Sequence, residues 1–173
     1  MKPDEPARAQ ELIARLGLAP HPERGYYVET YRSPLAVTGA GAALPHGAPR
    51  SASTAIYFLV TRAQPTTFLH RLRSDEIFHL YEGGPLDVLL LRDGGAGEVA
   101  RLGTDVTAGE RPQLVIPAGT WFAVELLAPA THCLFGCTVA PGFDFADFEL
   151  AAGPELAARF PVHAARIARM TRT

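Results

Sequence analysis

The sequence predicts an all-β fold, a sandwich or closed barrel with short helices at both ends. Three observations carry this reading. Eight short apolar or alternating runs crowd between positions 54 and 139, Gly- and Pro-rich turns separate them, and a helical apolar period is found only near the two termini. In chain order, Leu12, Ile13 and Leu16 share a helical face, and Gly17 stands where a C-cap belongs. The turn-rich stretch APHPERGYY follows, then a strand over 26–32. Positions 33–53 are rich in Gly, Ala and Pro with little period, a length that suggests a functional or interface loop. The strands expected next span 54–60, 66–72, 76–81, 86–91, 98–102, 113–116, 121–126 and 132–139. Two helices close the chain, 154–160 and 161–170, each opening on a proline suited to a first helical turn. No internal repeat or linker breaks the pattern. Residues 1–173 therefore read as one domain, long enough to bury a sizeable core without staples.

A formal charge of −2 gives no electrostatic reason to expect nucleic acid or an anionic membrane as partner. Lys2 is the only lysine, and a loose group of Arg159, Arg166, Arg169 and Arg172 reads as a solvated helix face. The first 18 residues are charged and mixed, without the apolar core of a signal peptide, and no apolar run approaches the ~18 residues of a membrane span. The expected location is the cytoplasm. Cys133 and Cys137 share one strand face in THCLFGCTV, four residues and so ~13 Å apart, too far for a disulfide. Both are expected to be free core thiols.

The segment TFLHRLRSDEIFHLYEGG carries the candidate chemistry. With Arg73-Ser74-Asp75 as a three-residue hairpin loop, alternation puts Phe68, His70, Leu72, Glu76 and Phe78 on one face. That face is largely apolar and so belongs in a core or pocket. His70 and Glu76 become diagonal neighbours with Cα atoms ~7–8 Å apart, and the imidazole satisfies a carboxylate that is costly to bury alone. His79 falls on the opposite face unless a bulge intervenes. Trp121 and Phe122 follow the PAG turn and are placed as pocket walls. Tyr57 offers a phenol to the cavity, and Tyr27, Glu29 and Tyr31 share one face of their strand. Arg50 reads as a surface arginine, and FDFADFE (143–149) as a structural flap.

These phrases resemble the cupin superfamily. Its first motif, G-x5-H-x-H-x3-E-x6-G, is matched by His70, Glu76 and Gly83, and its second, with P-x-G-x-x-H, is similar to Pro117-Ala118-Gly119-Thr120-Trp121-Phe122. Leu72 and Phe122 stand where the motifs carry histidine, so two of the four usual metal ligands are missing. Nearly end to end, the chain resembles the domain-of-unknown-function branch called cupin_5, through PHPERGYYVETYRS, STAIYFLV, HRLRSDEIFHLYEG, PQLVIPAGTWF and GCTVAPGFDFADFEL, with Arg24 where that branch usually has glycine. The resemblance implies a double-stranded β-helix (jelly-roll) barrel, similar in fold to deoxysugar-nucleotide 3,5-epimerases.

Three functions follow as expectations. In the first, His70 is a base oriented by Glu76, doing epimerase- or isomerase-like acid–base chemistry on a small carbonyl or sugar-derived substrate. Phe78, Trp121, Phe122, Tyr57 and His79 would contact the ligand. In the second, the pocket binds a small molecule without chemistry. The third is a metal enzyme using His70, Glu76 and His79. The first is preferred, with no stoichiometric metal and no cofactor expected. The long 33–53 loop motivates the expectation of a homodimer.

Overall fold

The computed structural model describes residues 6–38 and 46–172. Helix α1 (Ala7–Leu16) ends at Gly17, whose φ of 67° is the left-handed cap that glycine adopts freely. Strands β1 (Ala19–Pro20), β2 (Tyr26–Arg32), β3 (Ala36–Val37), β4 (Arg50–Ser51), β5 (Thr54–Thr61) and β6 (His70–Arg71) follow. Then come β7 (Asp75–Gly83), β8 (Leu86–Leu91), β9 (Glu98–Leu102), β10 (Gln113–Ile116), β11 (Trp121–Leu126), β12 (His132–Ala140) and β13 (Glu149–Leu150). Helices α2 (Gly153–Arg159) and α3 (Ala164–Arg169) close the chain. Part of the long N-terminal loop is the two-stranded ribbon β3–β4; positions 39–45 of it lie outside the described residues.

The strands form a six-stranded sheet, β1-β2-β5-β12-β7-β10, facing a five-stranded sheet, β13-β6-β11-β8-β9. This is a double-stranded β-helix of the cupin type, with short terminal helices. Side-chain alternation explains how one chain fills three apolar layers. Inward residues of both sheets, among them Phe58, Phe78, Val88, Phe122 and Phe135, meet in a central core. Outward Leu89, Leu91 and Ala123 pack beneath Leu156 of α2, Phe160 just after it and Ile167 of α3. Outward Tyr26, Leu59 and Leu134 pack beneath Ala9 and Leu12 of α1. Strand β8 is buried at all six positions because both of its faces are covered.

One predicted strand differs. In place of a strand over 66–72 joined to the next by a hairpin, only His70–Arg71 is strand, and it pairs with β11 and β13. Strand β7 lies in the other sheet, beside β12 and β10. Arg73-Ser74-Asp75 is thus a corner between sheets. Phe68 lies half-buried under the Arg24 and Arg172 guanidinium groups, 4.1 and 5.3 Å from its ring centroid.

Cys133 and Cys137 are free, buried and inward on β12. The C-terminal arginines are paired: Arg159 with Asp93, Arg166 with Asp87, and Arg169 with Glu125, while Arg172 donates to the carbonyl of Pro22. Among the described residues no helix is long and apolar enough to cross a membrane.

Candidate functional site

A cavity of about 330 Å³ opens between the sheets, at the small end of the roughly 300–1,000 Å³ typical of ligand pockets. Its buried ionisable groups are His21, Glu23, His70, Glu76 and Cys137, and its exposed polar lining residues Glu29, Arg32 and Asp144 mark the mouth. Most of the remaining wall is apolar, and much of that is phenylalanine.

The motif residues do converge on this cavity. His70, Leu72, Glu76, Phe78 and Phe122 all line it. The pairing inside it differs from the predicted one. His70 Nε2 lies 2.9 Å from Glu23 Oε2, and its Nδ1 lies 2.9 Å from the carbonyl of Phe68. A carbonyl only accepts, so Nδ1 carries a hydrogen and donates. Burial alone would push His70 down, but the Glu23 carboxylate outweighs it, aided by Glu76 and the Phe68 carbonyl, and the imidazole sits above its ordinary value. Both nitrogens of His70 are therefore committed, and Glu23 favours its charged form, so it is not a free base.

Glu76 is the uncommitted group. The Cys137 thiol donates to its carboxyl, yet Glu76 Oε2 is buried without a hydrogen-bond partner among the described residues. Burial raises its pKa to about 7; His70 pulls it down, Glu23 pushes it up, and the Cys137 bond lowers it slightly. The same burial, with Glu76 and Glu23 nearby, keeps the Cys137 thiol protonated well above its usual range.

His21 and Glu23 come from the loop before β2. Gly25 has φ 74°, and a Cβ there would meet the Leu59 carbonyl and the Phe58 ring at 2.8 Å. Arg24 occupies the left-handed region at φ 77°, the position where the branch described above usually has glycine. Its guanidinium donates to Thr66 Oγ1 at 2.8 Å and covers Phe68, contacts that offset the backbone cost. The Glu23 backbone N–H donates to His21 Nδ1 at 3.3 Å, so neutral His21 carries its hydrogen on Nε2. Burial, reinforced by His70 and opposed by Glu23, pushes His21 below its ordinary value.

Residues 143–148 form the flap. Asp144 caps a single 3₁₀ turn, and Asp147 accepts from Arg50 at 2.6 and 2.9 Å with both side chains buried. Arg50 is thus a buried latch and not a surface arginine. The flap contributes Phe143, Phe145 and Phe148 to the cavity, and Phe148 lies 5.2 Å from the His70 ring.

Three predicted contact residues lie elsewhere. Trp121 points to the outer face of its sheet, under α2 and α3, with Arg71 stacked at 4.4 Å; its neighbour Phe122 takes the inward position. Tyr57 is outward on β5, edge-on to Tyr81, because Phe58 faces in. His79 is outward on β7, within hydrogen-bond distance of Thr138 and Gln113. The tyrosine that does line the cavity is Tyr27. Glu29 joins it, but a register shift at Thr30 breaks the alternation and leaves Tyr31 half-exposed. The first 33 residues therefore supply groups that strand parity around His70 could not reveal. Their signal was the PHPERGYY phrase itself: a histidine and a glutamate beside a glycine in a turn.

The donor set does not fit a cupin metal site. Leu72 and Phe122 cannot coordinate, both nitrogens of His70 are engaged, and no group of three or more His, Cys, Asp or Glu among the described residues is arranged to hold an ion.

Comparison with known proteins agrees with the architecture. Residues 10–151 match the Cupin_5 family model, described as cupin superfamily (DUF985). An uncharacterized protein of Saccharomyces cerevisiae is 31% identical over 162 residues, covering 88% of this chain and 80% of its own. The structure of a hypothetical protein from Leishmania major superposes with a TM-score of 0.85 at 35% identity, over 95% of this chain and 99% of that one. A protein of Shewanella oneidensis gives 0.83 at 34% identity, over 95% and 97%.

Proposed function

The chain belongs to the Cupin_5 family of the cupin superfamily, and from that premise we propose that it binds a small organic molecule in the barrel and exchanges a proton with it through Glu76. The observation that carries this is a buried carboxyl with an unpartnered oxygen and a pKa of about 7, lining a mostly apolar cavity. A carboxyl in that range is part protonated at neutral pH, the condition under which one group both gives and takes a proton efficiently. His70 and Glu23 serve as positioning residues. Their ion pair fixes one side of the site and holds Glu76 in its field. His21, which burial holds below its ordinary value, supplies a second titratable group in the same cavity. The substrate class is a small carbonyl or sugar-derived compound, and the reaction is epimerase- or isomerase-like.

The test is hydrogen exchange in deuterated water. Dihydroxyacetone, glyceraldehyde and a panel of free aldoses are incubated with the protein, and exchange at the carbon beside the carbonyl is followed by proton NMR. Exchange above the buffer rate that falls about 100-fold or more in Glu76→Gln supports the proposal. Exchange that is absent for every compound, or unchanged in the variant, overturns the catalytic part. Ligand-observed NMR on the same samples then decides whether binding without chemistry remains.

A further inference from the structure

The lining residues fix the charge of the occupant. Arg32 is the one arginine among them and there is no lysine. Its guanidinium is already held by Glu29 at 2.7 and 2.9 Å and by the Phe143 carbonyl at 3.2 Å. The other cation, His70, is spent on Glu23 and a backbone carbonyl. Among the described residues no uncommitted positive group lines the cavity, whereas Glu76 has a buried, unpartnered oxygen and Asp144 adds an exposed carboxylate. Phenylalanines from both sheets and from the flap, including Phe78, Phe122, Phe135 and Phe148, line the same cavity as Glu76. Aromatic faces attract cations and repel anions, and a desolvated carboxylate is the strongest partner for an ammonium group.

Resting on the reading of this cavity as a ligand site, we propose that its occupant is an amino-bearing member of the carbonyl or sugar-derived class and carries a protonated amine. The ammonium group seats on Glu76, the apolar body packs against the phenylalanine rings, and carboxylates and phosphates are excluded. An anion would bury its charge beside Glu76 and Glu23 with no free donor cation to receive it. The groups that set the local field are His70 from β6, Glu23 and His21 from the loop before β2, and Cys137 from β12. Within that field Glu76 is the group the ammonium contacts, and its ionised form is the one that pairs with the amine. Binding near neutral pH therefore expels the proton that Glu76 holds.

Three probes of one shape test this: benzylamine, benzyl alcohol and benzoate, titrated calorimetrically into the protein and into Glu76→Gln. The expected result is benzylamine about tenfold or more tighter than benzyl alcohol, with benzoate weakest. The variant should lose the preference for the amine and keep the alcohol. In the wild type the preference should grow between about pH 6 and about pH 8 as Glu76 ionises, a readout that needs no variant. Equal binding of the three, or tightest binding of benzoate, overturns the amine while leaving the cavity as a ligand site. Failure of all three to bind overturns the cavity reading and the amine with it.

Discussion

Replacing Glu76 by glutamine should change how stability depends on pH. A carboxyl whose folded pKa is raised binds its proton more tightly in the folded state. Its contribution is therefore full below the unfolded value and is lost as pH rises through the folded one. For Glu76 the window runs from the ordinary 4.5 to about 7. That gap corresponds to about 3 kcal/mol, and the side chain is almost wholly buried, so solvent screening does little to reduce it. Glutamine matches the neutral acid in shape and cannot ionise. Glu23, His70 and His21 are present in both proteins, so the difference reads Glu76 together with its coupling to His70 and Glu23. Urea unfolding of both forms at half-unit steps from pH 4.5 to 8.5 reads it directly. Relative to the wild type, the variant should gain about 3 kcal/mol between pH 4.5 and 7, then stay level. A difference that is flat with pH, or that falls as pH rises, would refute the placement of Glu76 as a buried, uncompensated acid.

Gly25→Ala should destabilise by about 1–3 kcal/mol in urea unfolding, through its positive φ and the clash with Leu59 and Phe58, and should weaken probe binding by displacing Glu23. Arg24→Gly one residue earlier should stay within about 1 kcal/mol of the wild type, since relief of backbone strain offsets the lost Thr66 and Phe68 contacts. A thiol reagent should find two reactive cysteines after unfolding without reductant and almost none before it, since burial pushes Cys133 up to about 12 and Cys137 well above its usual range. Light scattering at micromolar concentration should return twice the 18.6 kDa chain mass; the single-chain mass would refute the dimer.

Much of the barrel is legible because a strand writes its environment with a period of two. Strand β8 and strands β9–β11 have the boundaries predicted from apolar or alternating runs set between turns, and β5 and β12 run one residue further. Where the reading failed, that period was ignored or interrupted. Trp121 and Phe122 are adjacent, so only one of them can face inward; Tyr57 stands in the same relation to Phe58. The 66–72 run carries strand-like residues, but the chain there crosses between sheets, and cross-sheet pairing leaves no local signature. His70 and Glu76 were identified as sharing an interior, whereas the partner of His70 lies 47 positions upstream in a glycine-shaped turn. Turns place side chains through backbone dihedrals and have no period to read. The Arg50–Asp147 latch was missed for a related reason: its partners are 97 residues apart, and the arginine alone looks like any other at the end of a loop.

The proton on Glu76 is the hinge of the functional account, and it is measurable in the ligand-free protein. Glutamate labelled with ¹³C at the side-chain carboxyl, with Glu76→Gln to assign the resonance, gives its titration by NMR. The account predicts a midpoint near pH 7. A midpoint at the ordinary glutamate value, 4.5, would contradict it and remove Glu76 as the group that exchanges protons with a ligand.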